Sequence, residues 1–414
     1  MLELKCILII CDGMGDRPCK TYPKTPLETA NTPALDELTC HGISGIMDTI
    51  KPGIRPGSDT AHLAIFGYDP YIYYKGRGAF EAIGAGVDVK PGEIALRANF
   101  ATIDSNEIIL DRRAGRSIPE GDEFAKLLAN LTLNRAPNVK PLFIHTVEHR
   151  GVLKLQGPHL SSAISNMDPD VENTKVLKCY PLDGSPEAKR TAEIINEFFQ
   201  KTKEILNNSP LNKARKQQNL PLVNALLLRG AGITPKLRTL PEIYNIHPAC
   251  ICGAPLYRGV AKIVGMTIIT VPEATGTIKT NTLAKGKAAL DHLNENDFIF
   301  IHVKGTDSAS HDGNYANKVM MIEKIDAMVK LLLDNINLEE TIIAITADHA
   351  DPICVRDHTA DPVPITIAGN SCLSDDIQKF SERTCAKGGL GRIRGLDIMP
   401  ILMDLIDHTK KFGA

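Results

Sequence analysis

A chain of 414 residues with 43% hydrophobic and 23% charged side chains is long enough for two or three domains with a large core. Its formal net charge of −2 argues against a general nucleic-acid binder, while leaving room for a local basic pocket that takes an anion. No apolar run reaches the length of a membrane span and the N-terminus lacks a signal peptide's layout, so a soluble, cytoplasmic protein with no membrane partner is expected. The ten cysteines show no paired C-x-x-C spacing, and mostly buried, reduced thiols are the expectation.

In chain order, "CILIICDG" reads as a buried strand that stops at Asp12. The stretch "PGSDTAHLAIFGYDP", Pro56 to Pro70, then puts Ser58 at the mouth of an apparent helix. Ser58 has the placing of a nucleophile, yet the stretch is not G-x-S-x-G, and the nearest histidine, His62, lies one helical turn on. From about Tyr71 to about Thr234 the polar content rises and no further apolar run ends in such residues. This region holds one helical pattern, "PEAKRTAEIINEFFQKTKEIL", followed by "NNSPLNKARKQQN", which is expected as a surface loop or hinge. Buried-strand character is expected to resume with "GMTIITV".

Two further runs end like the first: "FIFIHVKGTD" at Asp307, and "TIIAITADH" at Asp348 and His349. Between them "NYANKVMMIEKIDAMVKLLLDN" predicts a helix with Val319, Ile322, Ile325, Val329 and Leu332 on one face. Alternating strands and helices predict an α/β fold with a mainly parallel sheet flanked by helices. Such sheets bind ligands beyond the carboxyl ends of their strands, where these polar residues gather. The expected organisation is a discontinuous core, residues 1–75 and 235–414, interrupted by an inserted α+β cap domain, residues 76–234.

The chemistry concentrates in a few stretches. "GTDSASHDG" places Asp307 and His311 four apart, and "TADHADPICVRDHTADP" supplies Asp348, His349 and His358. With Asp12 and Ser58 these make three carboxylates, three imidazoles and a hydroxyl, all at predicted strand or helix ends. Each has a plainer reading alone: Asp12 as a turn residue, Ser58 as a helix cap, His358 as a hydrogen-bonded loop histidine. Together they form an oxygen and nitrogen set without cysteine, suited to Mn²⁺, Zn²⁺, Co²⁺ or Mg²⁺ and too large for one tetrahedral ion. Two ions can hold both the attacking and the leaving oxygen of an in-line displacement, and a metal beside Ser58 lowers its hydroxyl pKa without a histidine base.

At these residues the chain resembles the alkaline phosphatase superfamily of metalloenzymes, and within it the archaeal-type cofactor-independent phosphoglycerate mutases. The similarity runs nearly end to end, through "CDGMGDRP", "ETANTPALDEL", "PGSDTAHLAIFGYDP", "GRGAFEAIGAGV", "HVKGTD…HDGN", "DHTADPVPITI" and "GGLGRIRGLDIMPILMDL". The resemblance implies an alkaline-phosphatase-like core in which Asp12, Ser58, Asp348 and His349 hold one metal and Asp307, His311 and His358 the other. It implies that Ser58 is transiently phosphorylated while 3-phosphoglycerate and 2-phosphoglycerate interconvert without 2,3-bisphosphoglycerate, and that the cap retains the glycerate and excludes water. There are departures: the pattern implies alanine at Gly305, Glu-Ala-Gly at 308–310, histidine at Asp170, and serine and threonine at Ala350 and Asp351.

A phosphoglycerate trianion calls for guanidinium groups that clamp a carboxylate or phosphate bidentately. Arg112, Arg113 and Arg116 lie in "LDRRAGRSIPEG", Arg150 in "VEHRGVL" and Arg229 in "LLLRGAG". Arg116, Arg150 and Arg229 are favoured as Gly-flanked arginines near apolar runs, and Lys279 for its segment's similarity to a lysine-bearing one in larger bacterial mutases. Competing readings are a metal-dependent phosphatase, a phosphomutase for another hydroxy acid such as phosphohomoserine, and a non-catalytic phosphate or metal binder. The last is disfavoured because no ligand or nucleophile is missing. Oligomeric state is not encoded in any of these patterns.

Overall fold

The structure is a computed structural model describing residues 4–369 and 372–413, so the extreme ends of the expected core segments lie outside it. The chain separates into two compact units: Met1–Tyr74 with Lys236–Ala414, and Lys75–Pro235. The strands, in chain order, are β1 (Lys5–Cys11), β2 (Gly42–Asp48), β3 (Ile94–Ile103), β4 (Ile109–Asp111), β5 (Lys140–Val147), β6 (Arg150–Gln156), β7 (Ala225–Gly232), β8 (Pro248–Ile251), β9 (Thr267–Ile268), β10 (Phe298–Val303), β11 (Thr341–Thr346), β12 (Val363–Ala368) and β13 (Gly391–Arg394).

The first unit is built on an eight-stranded sheet ordered β13-β2-β12-β11-β1-β10-β8-β9. Only the pairings of β12 with β11 and with β2 are antiparallel, so the sheet is mainly parallel, as expected. Strand β1 lies between β10 and β11 and is buried at six successive residues, which is why "CILIIC" is apolar throughout rather than alternating. Cys11 pairs with Val303 and Ile10 with Thr346. That register brings Asp12, Lys304 and the Asp348 segment out of the sheet at one level.

The helix Tyr315–Leu333, capped by the Asn314 side chain on the Asn317 N–H (3.0 Å), buries Ile322, Ile325, Val329 and Leu332 as predicted. Val319 is half-buried, and its neighbour Lys318 is buried instead. "GMTIITV" forms only the two-residue edge strand β9, neither residue of which is buried, because β9 has a neighbour on one side alone. The expectation of mostly buried, reduced thiols needs correction at one pair, since Cys19 and Cys354 form a disulfide across 335 positions, a pairing that local spacing could not reveal.

The second unit is a five-stranded antiparallel sheet, ordered β4-β3-β6-β5 with β7 pairing β3. The helix Pro186–Asn207 starts at a Ser185 cap and packs Ile194, Ile195, Phe198 and Phe199 into a core with Phe100, Leu226 and Leu228. The stretch expected as a loop is in part a second helix, Pro210–Gln217, started by Ser209. Arg215 makes the difference: its buried guanidinium bonds to Glu120 (3.0 Å), Pro221 O (2.8 Å) and Ala114 O (3.1 Å).

Candidate active site

At the carboxyl end of β1, Asp12 is fully buried and uses its two oxygens differently. Oδ2 accepts hydrogen bonds from Tyr257, His302 (3.1 Å) and Lys304 (3.2 Å). Oδ1 has no hydrogen-bond partner and lies 3.3 Å from His349 Nε2. Asp348, just beyond β11, repeats the division. Its Oδ1 accepts the Gly13 N–H (3.1 Å), while its partnerless Oδ2 faces His349 Nε2 at 3.3 Å. Two carboxylate oxygens and one imidazole nitrogen thus converge, buried and unsatisfied, where a hydrogen-bond partner is normally found.

The second group stands beside it. The helix Gly305–His311 begins directly after β10 and sets Asp307 and His311 on one face, one turn apart. Asp307 Oδ2 accepts from Lys304 (2.7 Å), and its Oδ1 lies 3.4 Å from His311 Nε2 and 3.5 Å from His358 Nε2. His311 and His358 each spend Nδ1 on a backbone carbonyl, of Arg356 (3.0 Å) and Pro56 (2.9 Å). Those bonds keep a proton on Nδ1, so that Nε2 is the nitrogen that would give its lone pair to a metal once its own proton is displaced. Asp351, which sequence reasoning passed over as a departure, joins Asp307, His311 and His358, with all four ligand atoms within 4.8 Å of one another.

The electrostatics suit a strong positive charge. Burial opposes ionisation of Asp12, but the Lys304 charge and the His302 and His349 contacts hold its carboxyl well below the usual range. Burial, then the Asp12 charge, drive Asp348 well above its range, because two adjacent buried carboxylates cannot both ionise unaided. Burial also keeps His349 below its ordinary value. Pairing with Asp307 raises His311 to about 9. Orphaned ligand atoms of mixed oxygen and nitrogen type fit two divalent ions.

Ser58 is the first residue of the helix Ser58–Ile65 and is buried. The turn before it is fixed by the Thr60 hydroxyl, which accepts from the Gly57 N–H (3.1 Å) and donates to Gly57 O (2.9 Å). His62 is no base for it. Its Nδ1 meets Ser58 O (2.7 Å) and sits 3.6 Å from Asp348 Oδ2, and burial lowers its pKa to about 3. The loop is therefore pinned to both groups, through His62 to Asp348 and through His358 to Pro56.

The predicted basic residues fare unevenly. In the second unit, Arg97 on β3 lies opposite Arg229 on β7, and Asn99 lies opposite Arg150 on β6. Arg97 and Arg77 share Glu81 Oε1 at 3.3 and 3.1 Å. Burial and then the Arg77 charge lower Arg97 to about 9. His149 is pushed to about 3 by burial and by Arg150, Arg113, Arg116 and Arg229. Asp170, where the resemblance implies a histidine, bridges Arg112 (2.6 Å) and Arg229. Arg116 is mostly exposed and pairs with Glu148 (3.3 Å), and Lys279 is exposed on a loop of the first unit. Sequence reasoning missed Arg77, Arg97, Tyr257 and Lys304. Arg97 and Lys304 could have been found as single cations within or just after apolar runs.

The comparisons with known proteins give the family. The family model described as the metalloenzyme superfamily matches residues 4–405. The chain is 49% identical to 2,3-bisphosphoglycerate-independent phosphoglycerate mutase 1 of Methanocaldococcus jannaschii, over the whole of both chains. It is 45% identical to the 2,3-bisphosphoglycerate-independent phosphoglycerate mutase of Ignicoccus hospitalis, again over both whole chains. Among solved structures it is similar to a Pyrococcus horikoshii protein, with 40% identity, a TM-score of 0.88 and all of both chains covered. The cofactor-independent phosphoglycerate mutase of Thermoplasma acidophilum follows at 35% identity and TM-score 0.70, covering 97% of this chain and all of that one.

Proposed function

Because the chain belongs to the 2,3-bisphosphoglycerate-independent phosphoglycerate mutases of the metalloenzyme superfamily, we propose that its two Asp–His groups hold divalent ions and that Ser58 carries the phosphoryl group. The protein is an isomerase that interconverts 3-phosphoglycerate and 2-phosphoglycerate, an intramolecular phosphotransfer of glycolysis and gluconeogenesis. Asp12, Asp348, His349 and Ser58 would hold one ion, and Asp307, His311 and His358 the other. Mn²⁺ fits best a set in which imidazoles and carboxylates are balanced, with Zn²⁺, Co²⁺ and Mg²⁺ as further candidates. Bound there, the ions lower the serine hydroxyl pKa and neutralise charge on the phosphoryl oxygens.

Ser58 Oγ attacks phosphorus, the bond from phosphorus to the C3 oxygen breaks, and phosphoserine forms. The proton lost by the serine balances the one gained by the departing oxygen. After the glycerate turns, its C2 hydroxyl oxygen attacks the phosphoserine, the bond to Oγ breaks, and the serine recovers a proton. The Ser58 loop has little freedom, since His62, Thr60 and His358 tie it down, so the acceptor does the moving. For the second unit we propose an anion-binding array of Arg150 and Arg229 with Arg77 and Arg97, Arg116 standing at its exposed edge; Lys279 of the first unit is a further candidate for substrate. A cytoplasmic setting matches this chemistry, and no helix among the described residues is long and apolar enough to cross a membrane.

The observation that carries this reading is the convergence of buried ligand atoms left without partners in two adjacent groups. It is tested by rapid acid quench with 3-phosphoglycerate and Mn²⁺, followed by peptide mass spectrometry. One phosphoryl group on the peptide containing Ser58, lost in Ser58→Ala, is expected. Phosphate on any other residue would contradict it.

A further inference from the structure

Asp351 has an environment that the sequence pattern does not account for. Its side chain is 0% exposed, and neither carboxylate oxygen has a hydrogen-bond partner. Its backbone is fully engaged: the N–H donates to Gly15 O (2.9 Å) and the carbonyl accepts from Lys318 Nζ (2.9 Å). That lysine is itself spent on Asp16 Oδ2 (2.9 Å) and Gly15 O (3.2 Å). The fold therefore fixes where Asp351 sits while giving its carboxylate no hydrogen bond, only the His311 ring facing it at 3.7 Å. A buried carboxylate left so is strongly destabilising unless a cation completes it.

The direction of the side chain supplies the cation. Asp351 Oδ2 lies 3.7 Å from His311 Nε2, the nitrogen turned away from the Arg356 carbonyl. Gly13, in the left-handed region at φ +65°, packs against both aspartates. A Cβ there would stand 3.0 Å from the Asp307 Cα and Cβ and 3.3 Å from the Asp351 Cβ. The close approach of Asp307 and Asp351 is thus built into the backbone.

We propose that Asp351 is a fourth protein ligand of the second ion, alongside Asp307, His311 and His358. The inference rests on the two-metal reading above and goes beyond the ligand set the resemblance implies. Two carboxylates neutralise a divalent cation in full, and four protein ligands hold it without help from substrate. The second site then matches the first in carboxylate and ligand number, and stays filled through turnover.

Titration calorimetry of chelator-treated protein with Mn²⁺ tests this, comparing wild type with Asp351→Asn and Asp351→Thr. Wild type takes up two ions per chain. Both variants are expected to keep one site unchanged and to lose at least about tenfold in affinity at the other. The rise in melting temperature on adding Mn²⁺ should shrink in both variants. Two ions bound with wild-type affinities in both variants would overturn the role of Asp351 and leave the two-metal reading intact. Fewer than two ions in wild type would overturn both.

Discussion

His349 stacks on His358, with ring centroids 3.5 Å apart and planes 19° from parallel, so one proposed ligand from each Asp–His group forms a shared wall. Both come from the segment after β11 that also carries Asp348 and Asp351. The two sites are therefore coupled through packing as well as charge. His358→Ala removes a ligand from one group and the stacking partner from the other. Mn²⁺ titration should show the second site weakened by roughly 10-fold or more and the first by a smaller factor. An unaffected first site would show that the stacking is passive.

Ser58→Ala removes the proposed nucleophile and one proposed oxygen ligand. Turnover is expected to fall by on the order of 10⁴ or more, as when other covalent catalysts lose their nucleophile. Bound metal, measured by elemental analysis, should be reduced and still present, because six of the seven predicted ligands remain.

Lys304 joins the two groups in another way: its ammonium lies 2.7 Å from Asp307 Oδ2 and 3.2 Å from Asp12 Oδ2. Lys304→Met strands both carboxylates in a buried setting. Metal-free protein should lose on the order of 3 kcal/mol in denaturant unfolding. With Mn²⁺ added the deficit should shrink, since the ions then compensate the same carboxylates.

His311 gives a pH dependence whose sign follows from its shift. Its pKa in the folded chain is raised to about 9 by Asp307, so near neutral pH the metal-free imidazole is protonated and an ion must displace that proton. Affinity at the second site should therefore climb with pH, by up to about tenfold per unit, and level off near pH 9. In metal-free protein the same shift stabilises the fold below the unfolded-state pKa of about 6.5, and that contribution is lost as pH rises through about 9. Titrations in buffers of different ionisation enthalpy would report the released proton.

The site was legible where chain direction and chemistry coincide. Asp12, Asp307 and Asp348 announce themselves as acidic stops on apolar runs, and parallel strands must deliver them to one rim. Asp351 was not legible, since one residue after Ala350 in a loop carries no periodicity, and only the folded backbone turns it toward His311. The arginine array was half visible. Arg150 and Arg229 stand beside glycines, whereas Arg97 hides in "IALRANF" and acquires its neighbours only through the antiparallel register of β3 with β6 and β7. Arg215 turned an expected loop into a helix through long-range bonds to carbonyls and Glu120, which local polarity could not foretell.

The most direct test of the whole account is an enolase-coupled assay of 3-phosphoglycerate conversion, with 2,3-bisphosphoglycerate rigorously absent. It would be run with Mn²⁺ and then with a chelator, following free phosphate in parallel. The account predicts 2-phosphoglycerate formation that needs metal, needs no bisphosphoglycerate and releases no phosphate. Conversion that survives chelation, or phosphate released in place of 2-phosphoglycerate, would contradict it.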